Sequence, residues 1–183
     1  RIFIFTALWG GQAGSLLFWA WMLSVFGALA VWVHFYSEVR LIPWVIAVIS
    51  TVQVFFLVVL NFLTNPFEKL PVVLPNGRGL NPLLQDPGML FHPPLLLSGY
   101  MSWSIPFAFA IAALITGRLD REWLPVTRAW AMLAWLIQGA GLIVGGWWAY
   151  HVLGWGGYWG WDPVENVALL PWLVGTAFIH SLM

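Results

Sequence analysis

About five long apolar runs dominate the sequence, with polar residues confined to the stretches between them: 14 to 35, 41 to 63, 95 to 116, 129 to 150, and from 163 onward. Each reaches the ~20 residues a helix needs to cross the hydrocarbon of a bilayer. Their apolarity is continuous rather than alternating, which excludes half-buried strands and barrel strands. The pattern predicts an all-α, polytopic transmembrane helical bundle of about five spans. Gly10 and Gly14 form a small-xxx-small pair where the first span begins, a spacing that allows close helix contact.

The connections divide the chain into the first two spans (1–63), a loop (64–94), two more spans (95–150), a Trp-rich stretch (151–166) and the start of a fifth span (163–183). The loop contains Pro66, Pro71, Pro75, Pro82, Pro87, Pro93 and Pro94, so it is expected to be ordered without forming one long helix. Asn81 before Pro82 signals a helix start, and Asp86-Pro87-Gly88 a stop, predicting one short interfacial helix between them. The sequence begins at Arg1 and ends at Met183 inside an apolar run, so it is expected to be a piece of a larger polytopic protein.

Composition sharpens this picture. Hydrophobic residues make up 61% of the chain and charged residues 8%, against ~25% charged in a soluble domain. A formal net charge of zero argues against a nucleic-acid partner, because a phosphate backbone demands a surplus of Lys and Arg. With no cysteine there is no disulfide and no thiolate nucleophile, so any thiol chemistry must use a partner's sulfur. Arg40 follows the first span, and Arg118, Arg121 and Arg128 follow the third, which marks those short loops as cytoplasmic. Arg1, Lys69 and Arg78 are spread through far more chain on the other side. The 64–94 loop and the Trp-rich stretch are therefore expected outside the cytoplasm.

Candidate chemistry gathers in that stretch, Trp155-Gly156-Gly157-Tyr158-Trp159-Gly160-Trp161-Asp162-Pro163-Val164-Glu165. Rings interleaved with glycine make a poor core but a good platform for a flat, partly apolar ligand such as haem. An interfacial aromatic belt is the alternative. Asp162, Pro163 and Glu165 read as a capping box opening the fifth span, with a catalytic carboxylate pair as the other reading. His92 precedes Pro93 and Pro94, which favours a stiff extended strap, and is either an axial haem ligand or a histidine capping the next helix. His180 lies roughly 25 Å along the fifth span, on one face with Asn166, Leu169, Leu173 and Thr176, so its ring is expected to point into the bundle. Haem ligation, a proton relay and a hydrogen-bonded core histidine all remain open there. His34 is expected to snorkel at the cytoplasmic end of the first span, and His151 stands beside the Trp-rich stretch.

Taken in order, these segments resemble the CcmF-type cytochrome c haem lyases, members of the haem-handling family named after its tryptophan-rich WWD domain. The resemblance rests on Trp9-Gly10 with Gly14-Ser15-Leu16, Asn65-Pro66-Phe67, Leu80-Asn81-Pro82-Leu83-Leu84-Gln85-Asp86-Pro87-Gly88, Phe91-His92-Pro93-Pro94-Leu95-Leu96, Gly99-Tyr100, the Trp-rich stretch through Asn166, and Pro171-Trp172. It implies that His92 ligates the iron of a substrate haem arriving on a haem chaperone. It also implies that Trp155, Gly156, Gly157, Tyr158, Trp159, Trp161 and Asp162 form the platform for that haem, and that His180 ligates a resident b-type haem within the membrane. The second histidine of each axial pair is implied to come from a part of the protein beyond this chain. The implied reaction joins haem to the Cys-x-x-Cys-His motif of apocytochrome c in the inner membrane of a bacterium, alongside other cytochrome c maturation subunits, with the platform on the periplasmic side. A haem exporter or chaperone-loading relative, and a proton- or solute-translocating subunit, are the alternatives. Gly160 stands where a bulky aromatic is usual in the family, and His151 where tyrosine is usual.

Overall fold

A computed structural model of the chain describes residues 2–69, 71–72, 75–77, 79–118, 121–152, 154 and 157–183, and every regular element among them is helical. The helices are α1 (Ile2–Gly10), α2 (Gln12–His34), α3 (Ile42–Val58), α4 (Pro87–Ser102), α5 (Ser104–Thr116), α6 (Leu124–Val152) and α7 (Pro163–Ser181). A π-turn, Val59–Leu63, extends α3, and a 3-10 turn, Pro82–Leu84, precedes α4. Four segments are long and apolar enough to cross a membrane: Gln12–His34, Ile42–Leu63, Pro87–Thr116 and Leu124–Val152. The expected fifth span is α7, whose 19 residues cover ~28 Å. Glu165, Asn166, Pro171 and His180 make it less apolar than the other four.

The third span begins earlier than its apolar run suggests. Asn81 caps as expected, accepting from the Leu83 amide at 3.1 Å, but the turn it opens ends at Leu84. Asp86 does not stop a helix. Its Oδ1 accepts from the Gly88 amide at 2.7 Å and Pro87 takes the first helical position, so Asp86-Pro87-Gly88 starts α4. Near the other end, Pro106 has no N–H for the Ser102 carbonyl, and the helix breaks at Trp103 into α4 and α5.

The additional helix α1 folds back on α2 through Gly11. A Cβ at Gly14 would lie 1.7 Å from the Leu8 carbonyl oxygen, so the small residue there closes this corner. At one end of the bundle the loops after α2 and α5 meet, with Arg118 Nη1 3.3 Å from Oε2 of the buried Glu38, while Arg118 Nη2 reaches Glu122. The loops expected to share the Arg-rich side therefore do share it. His34 does not snorkel: its Nε2 accepts from the Trp130 indole at 3.1 Å, and its ring meets Phe109 edge-on.

Leu23, Val45, Ile105 and Phe109 are wholly enclosed among α2, α3 and α5. By contrast, α4 and α6 approach through glycine. A Cβ at Gly99 would lie 2.6 Å from the Gln138 Cα, one at Gly141 2.8 Å from the Leu96 nitrogen, and one at Gly88 2.3 Å from the Trp148 ring. Small residues take this role in bilayers because close backbone packing, rather than apolar burial, holds spans together. Gly99→Ala is expected to cost about 1–3 kcal/mol and to lower the Tm of the detergent-solubilised protein. Gly77→Ala, where nothing lies within 4 Å, is expected to leave it unchanged.

Gln138, fully buried in α6, joins three helices. Its Oε1 accepts from the Trp103 indole at 2.6 Å and its Nε2 donates to the Ala168 carbonyl at 2.9 Å. An unpaired amide in this interior costs about 1–3 kcal/mol, so Gln138 fixes α7 against the break between α4 and α5.

Candidate functional site

His92 lies within α4 rather than on an extended strap. The preference of a pre-proline residue for extended backbone is local, and here the Asp86 cap and the α6 contacts override it. The consequence for the ring is specific. Nδ1 lies 2.9 Å from the Gly141 carbonyl, which can only accept, so Nδ1 carries the proton and a neutral ring keeps its lone pair on Nε2. That nitrogen has no hydrogen bond among the described residues. Gly145, one turn along α6, supports the same orientation, because a Cβ there would lie 2.5 Å from the His92 Cε1.

The ring forms one wall of a cavity of about 160 Å³ whose other walls include Gly145, Trp148, Trp159, Asp162 and Glu165. Leu142, Gly146 and Trp159 also line a shallower slot of about 400 Å³ between α6 and α7 that reaches Trp172. Small-molecule sites occupy about 300–1,000 Å³, so the cavity admits the edge of a planar ligand while the slot takes more of its apolar body. The indole nitrogens of Trp148 and Trp159 are buried and have no hydrogen-bond partner among the described residues. Both are obligate donors, so the site lacks the acceptors that would satisfy them. A metal porphyrin bearing carboxylates fits this donor set, Nε2 offering a lone pair to the metal and the indoles N–H groups to acceptors, with its carboxylates directed away from Asp162 and Glu165, which line the same cavity and would repel them.

The described part of the Trp-rich stretch, 157–166, is held at both ends. Tyr158 stacks on Tyr150 with ring centroids 4.4 Å apart and planes 10° from parallel, so its ring anchors the stretch to α6. Trp159 and Trp161 meet edge-on at 6.1 Å. The capping box is present: Asp162 Oδ1 accepts from the Glu165 amide at 2.7 Å, and Glu165 Oε2 accepts from the Asp162 amide at 3.4 Å. Glu165 also accepts from the Gly160 amide at 2.7 Å, and Asn166 Nδ2 donates to the Trp161 carbonyl at 3.2 Å. These bonds hold Trp161 at φ 55°, left-handed backbone that costs a bulky residue about 1–3 kcal/mol. The ring is consequently displayed to the exterior, 69% exposed. The acidic pair is thus occupied in shaping the stretch. Trp155 and Gly156 lie outside the described residues, and Gly157 forms the bend before Tyr158.

His180 does not point into the bundle. It is exposed on the flank of α7, because α7 packs on α6 along one side and leaves this face open. Its Nδ1 lies 2.8 Å from the Thr176 carbonyl, which again leaves the lone pair on Nε2. The ring borders an apolar groove of about 320 Å³ with Met132, Trp135, Leu136, Ile179 and Met183. Trp135 and Trp172 stack at 5.0 Å behind it, and the Trp135 indole donates to Thr176 Oγ1 at 2.7 Å. Single histidine donors suit iron that arrives with a porphyrin, and no group of three His, Asp or Glu able to hold a bare metal occurs among the described residues. His151 is not in the cavity wall. Its Nε2 lies 3.2 Å from Asp86 Oδ2 and its Nδ1 2.8 Å from the Trp147 carbonyl, which ties the end of α6 to the start of α4.

Gly141, Gly145 and Trp148 belong to the site although sequence reasoning did not select them. The available signal was Gly145-Gly146-Trp147-Trp148 inside an apolar run, since each glycine in a helix interior costs about 1 kcal/mol and calls for a packing reason.

The family model described as Cytochrome C assembly protein matches residues 9–183. The chain is 49% identical over 176 residues to the cytochrome c-type biogenesis protein ccl1 of Rhodobacter capsulatus, covering 96% of this chain and 27% of that protein. It is 49% identical over 182 residues to CcmF of Pseudomonas fluorescens, with 98% and 27% covered. It is 41% identical over 177 residues to NrfE of Haemophilus influenzae, with 97% and 28% covered. The chain thus spans little more than a quarter of the length of these relatives. No solved structure matches it.

Proposed function

The chain belongs to the cytochrome c assembly protein family, and from that premise we propose that it forms the haem-receiving part of a membrane-bound cytochrome c haem lyase. The observation that carries the proposal is the 2.9 Å contact of His92 Nδ1 with the Gly141 carbonyl, which leaves Nε2 as the lone-pair donor of a ring lining the cavity beneath Trp159. Such a carbonyl partner fixes the tautomer and orientation of a metal-binding histidine.

In this reading haem is the substrate, handed over by a chaperone at the periplasmic face of the bacterial inner membrane. His92 Nε2 holds its iron, the Trp148 and Trp159 indoles donate to its carboxylates, and Trp161 covers the exposed side. Apocytochrome c supplies the thiols of Cys-x-x-Cys-His, since this chain has none. Each S–H adds across a vinyl double bond, sulfur bonding to one carbon and hydrogen to the other. The contribution of this chain is to hold and orient the substrate. His180, its Nδ1 held by the Thr176 carbonyl, would hold a b-type haem through Nε2, and such a group would supply electrons, received from a donor outside this chain, that keep the substrate iron reduced. The second axial ligands, and contacts to other maturation subunits, come from outside this chain.

A translocating subunit is the competing reading, and it predicts that full-length protein purified from the membrane shows no Soret band. The haem-lyase reading predicts a Soret band. Trp159→Phe keeps an aromatic ring, though a smaller one, and removes the N–H, so it is expected to weaken capture of chaperone-bound haem about tenfold, the worth of one hydrogen bond to a charged acceptor. Capture equal to the parent's in that variant supports an aromatic belt instead.

A further inference from the structure

The segment carrying His92 contains a defect that another helix repairs. In an α-helix each N–H donates to the carbonyl four residues earlier, and Pro93 has no N–H to give to Met89. The Met89 carbonyl is therefore orphaned and, with Met89 only 4% exposed, is shut off by the protein from water that could replace the lost partner. Eighty positions away in sequence, Trp9 of α1 donates its indole N–H to that same carbonyl at 2.9 Å. Trp9 is 7% exposed and Met89 4%, so the bond is enclosed. Phe5 meets the Trp9 ring edge-on at 5.0 Å and Phe18 packs at 5.8 Å, which fixes the indole from two sides. Gly10 completes the seat, because a Cβ there would lie 3.2 Å from both Leu80 and the Met89 methyl.

We propose that Trp9 is a positioning residue for His92, substituting for the amide that Pro93 lacks and thereby fixing the turn of α4 from which the imidazole reaches Gly141. Met89 is three residues before His92, so its carbonyl belongs to the turn that sets the direction of the ring. Gly141 and Gly145 hold the ring from the α6 side, and Trp9 holds its backbone from the α1 side. Proline next to a ligand has a use in this arrangement. It hands control of the Met89 carbonyl to a separate helix, so the seating of α1 and the aim of His92 become coupled.

The proposal rests on His92 being a haem ligand for its consequence in haem capture, but its structural core is independent of haem. The test is a cycle of Trp9→Phe and Pro93→Ala in the full-length protein, read by the imidazole ¹⁵N signals of His92 in micelles and by capture of chaperone-bound haem. The parent is expected to show one tautomer, protonated at Nδ1. Trp9→Phe keeps an aromatic ring, though a smaller one, and removes the N–H, and is expected to give mixed tautomers and about tenfold weaker capture. Pro93→Ala restores the helical amide, so in that background Trp9→Phe is expected to change neither signal nor capture. An equal effect of Trp9→Phe in both backgrounds, or none in the parent, overturns the inference, since ring packing alone does not depend on Pro93. A parallel His92→Ala variant separates the two claims. If it captures haem normally the ligand reading fails, while the ¹⁵N cycle still decides the role of Trp9.

Discussion

Replacing His92 with alanine is expected to abolish holocytochrome c formation while the protein still inserts in the membrane and retains the haem proposed at His180. Loss of an outer partner of a metal ligand costs about 10–100-fold in affinity, and loss of the ligand itself should exceed that. The cavity left behind is bordered by Trp148 and Trp159 and lies near the C-terminal end of α6, so imidazole added to the medium is expected to restore part of the activity. Haem staining of the cytochrome product, with and without imidazole, checks both statements. Undiminished product in the His92→Ala strain contradicts the assignment.

Replacing His180 with alanine should act on a different haem. The ring stands in an apolar groove beside Met132 and Leu136, with Nδ1 committed to the Thr176 carbonyl, so its removal takes away the lone pair and leaves the helix intact. The b-type haem proposed at His180 is expected to be absent from full-length protein purified from this variant, and substrate iron to accumulate oxidised at the His92 site. Imidazole is expected to help this variant less than the His92 variant, because a groove within the bilayer receives a polar ligand poorly. Visible spectra of the purified variant test this, and an unaltered six-coordinate spectrum removes His180 as the ligand and leaves the relay reading.

The spans were legible because a bilayer imposes continuous apolarity over about 20 residues, and no other constraint writes that pattern so plainly. The Asp162 and Glu165 cap was legible for a similar reason, being a local motif whose parts lie within four residues. The setting of His92 was not. The local rule for a residue before proline pointed to an extended strap, and tertiary contacts made it helical: the Asp86 cap, the glycine-lined approach of α6, and the Trp9 bond to the Met89 carbonyl. Its Gly141 partner lies 49 residues away, a separation that no spacing rule spans. The exposure of His180 was equally hidden, since periodicity groups Thr176 and His180 on one face without saying what covers it.

Two separate haem sites, one on His92 and one on His180, are the central claim, and haem content per polypeptide measures it directly. Full-length protein loaded from the chaperone would be assayed by pyridine haemochrome, in parent, both single variants and the double variant. The account predicts that each single substitution removes one of the two haems and that the double variant holds neither. If either single variant loses both haems, the two histidines serve one site and the account is wrong.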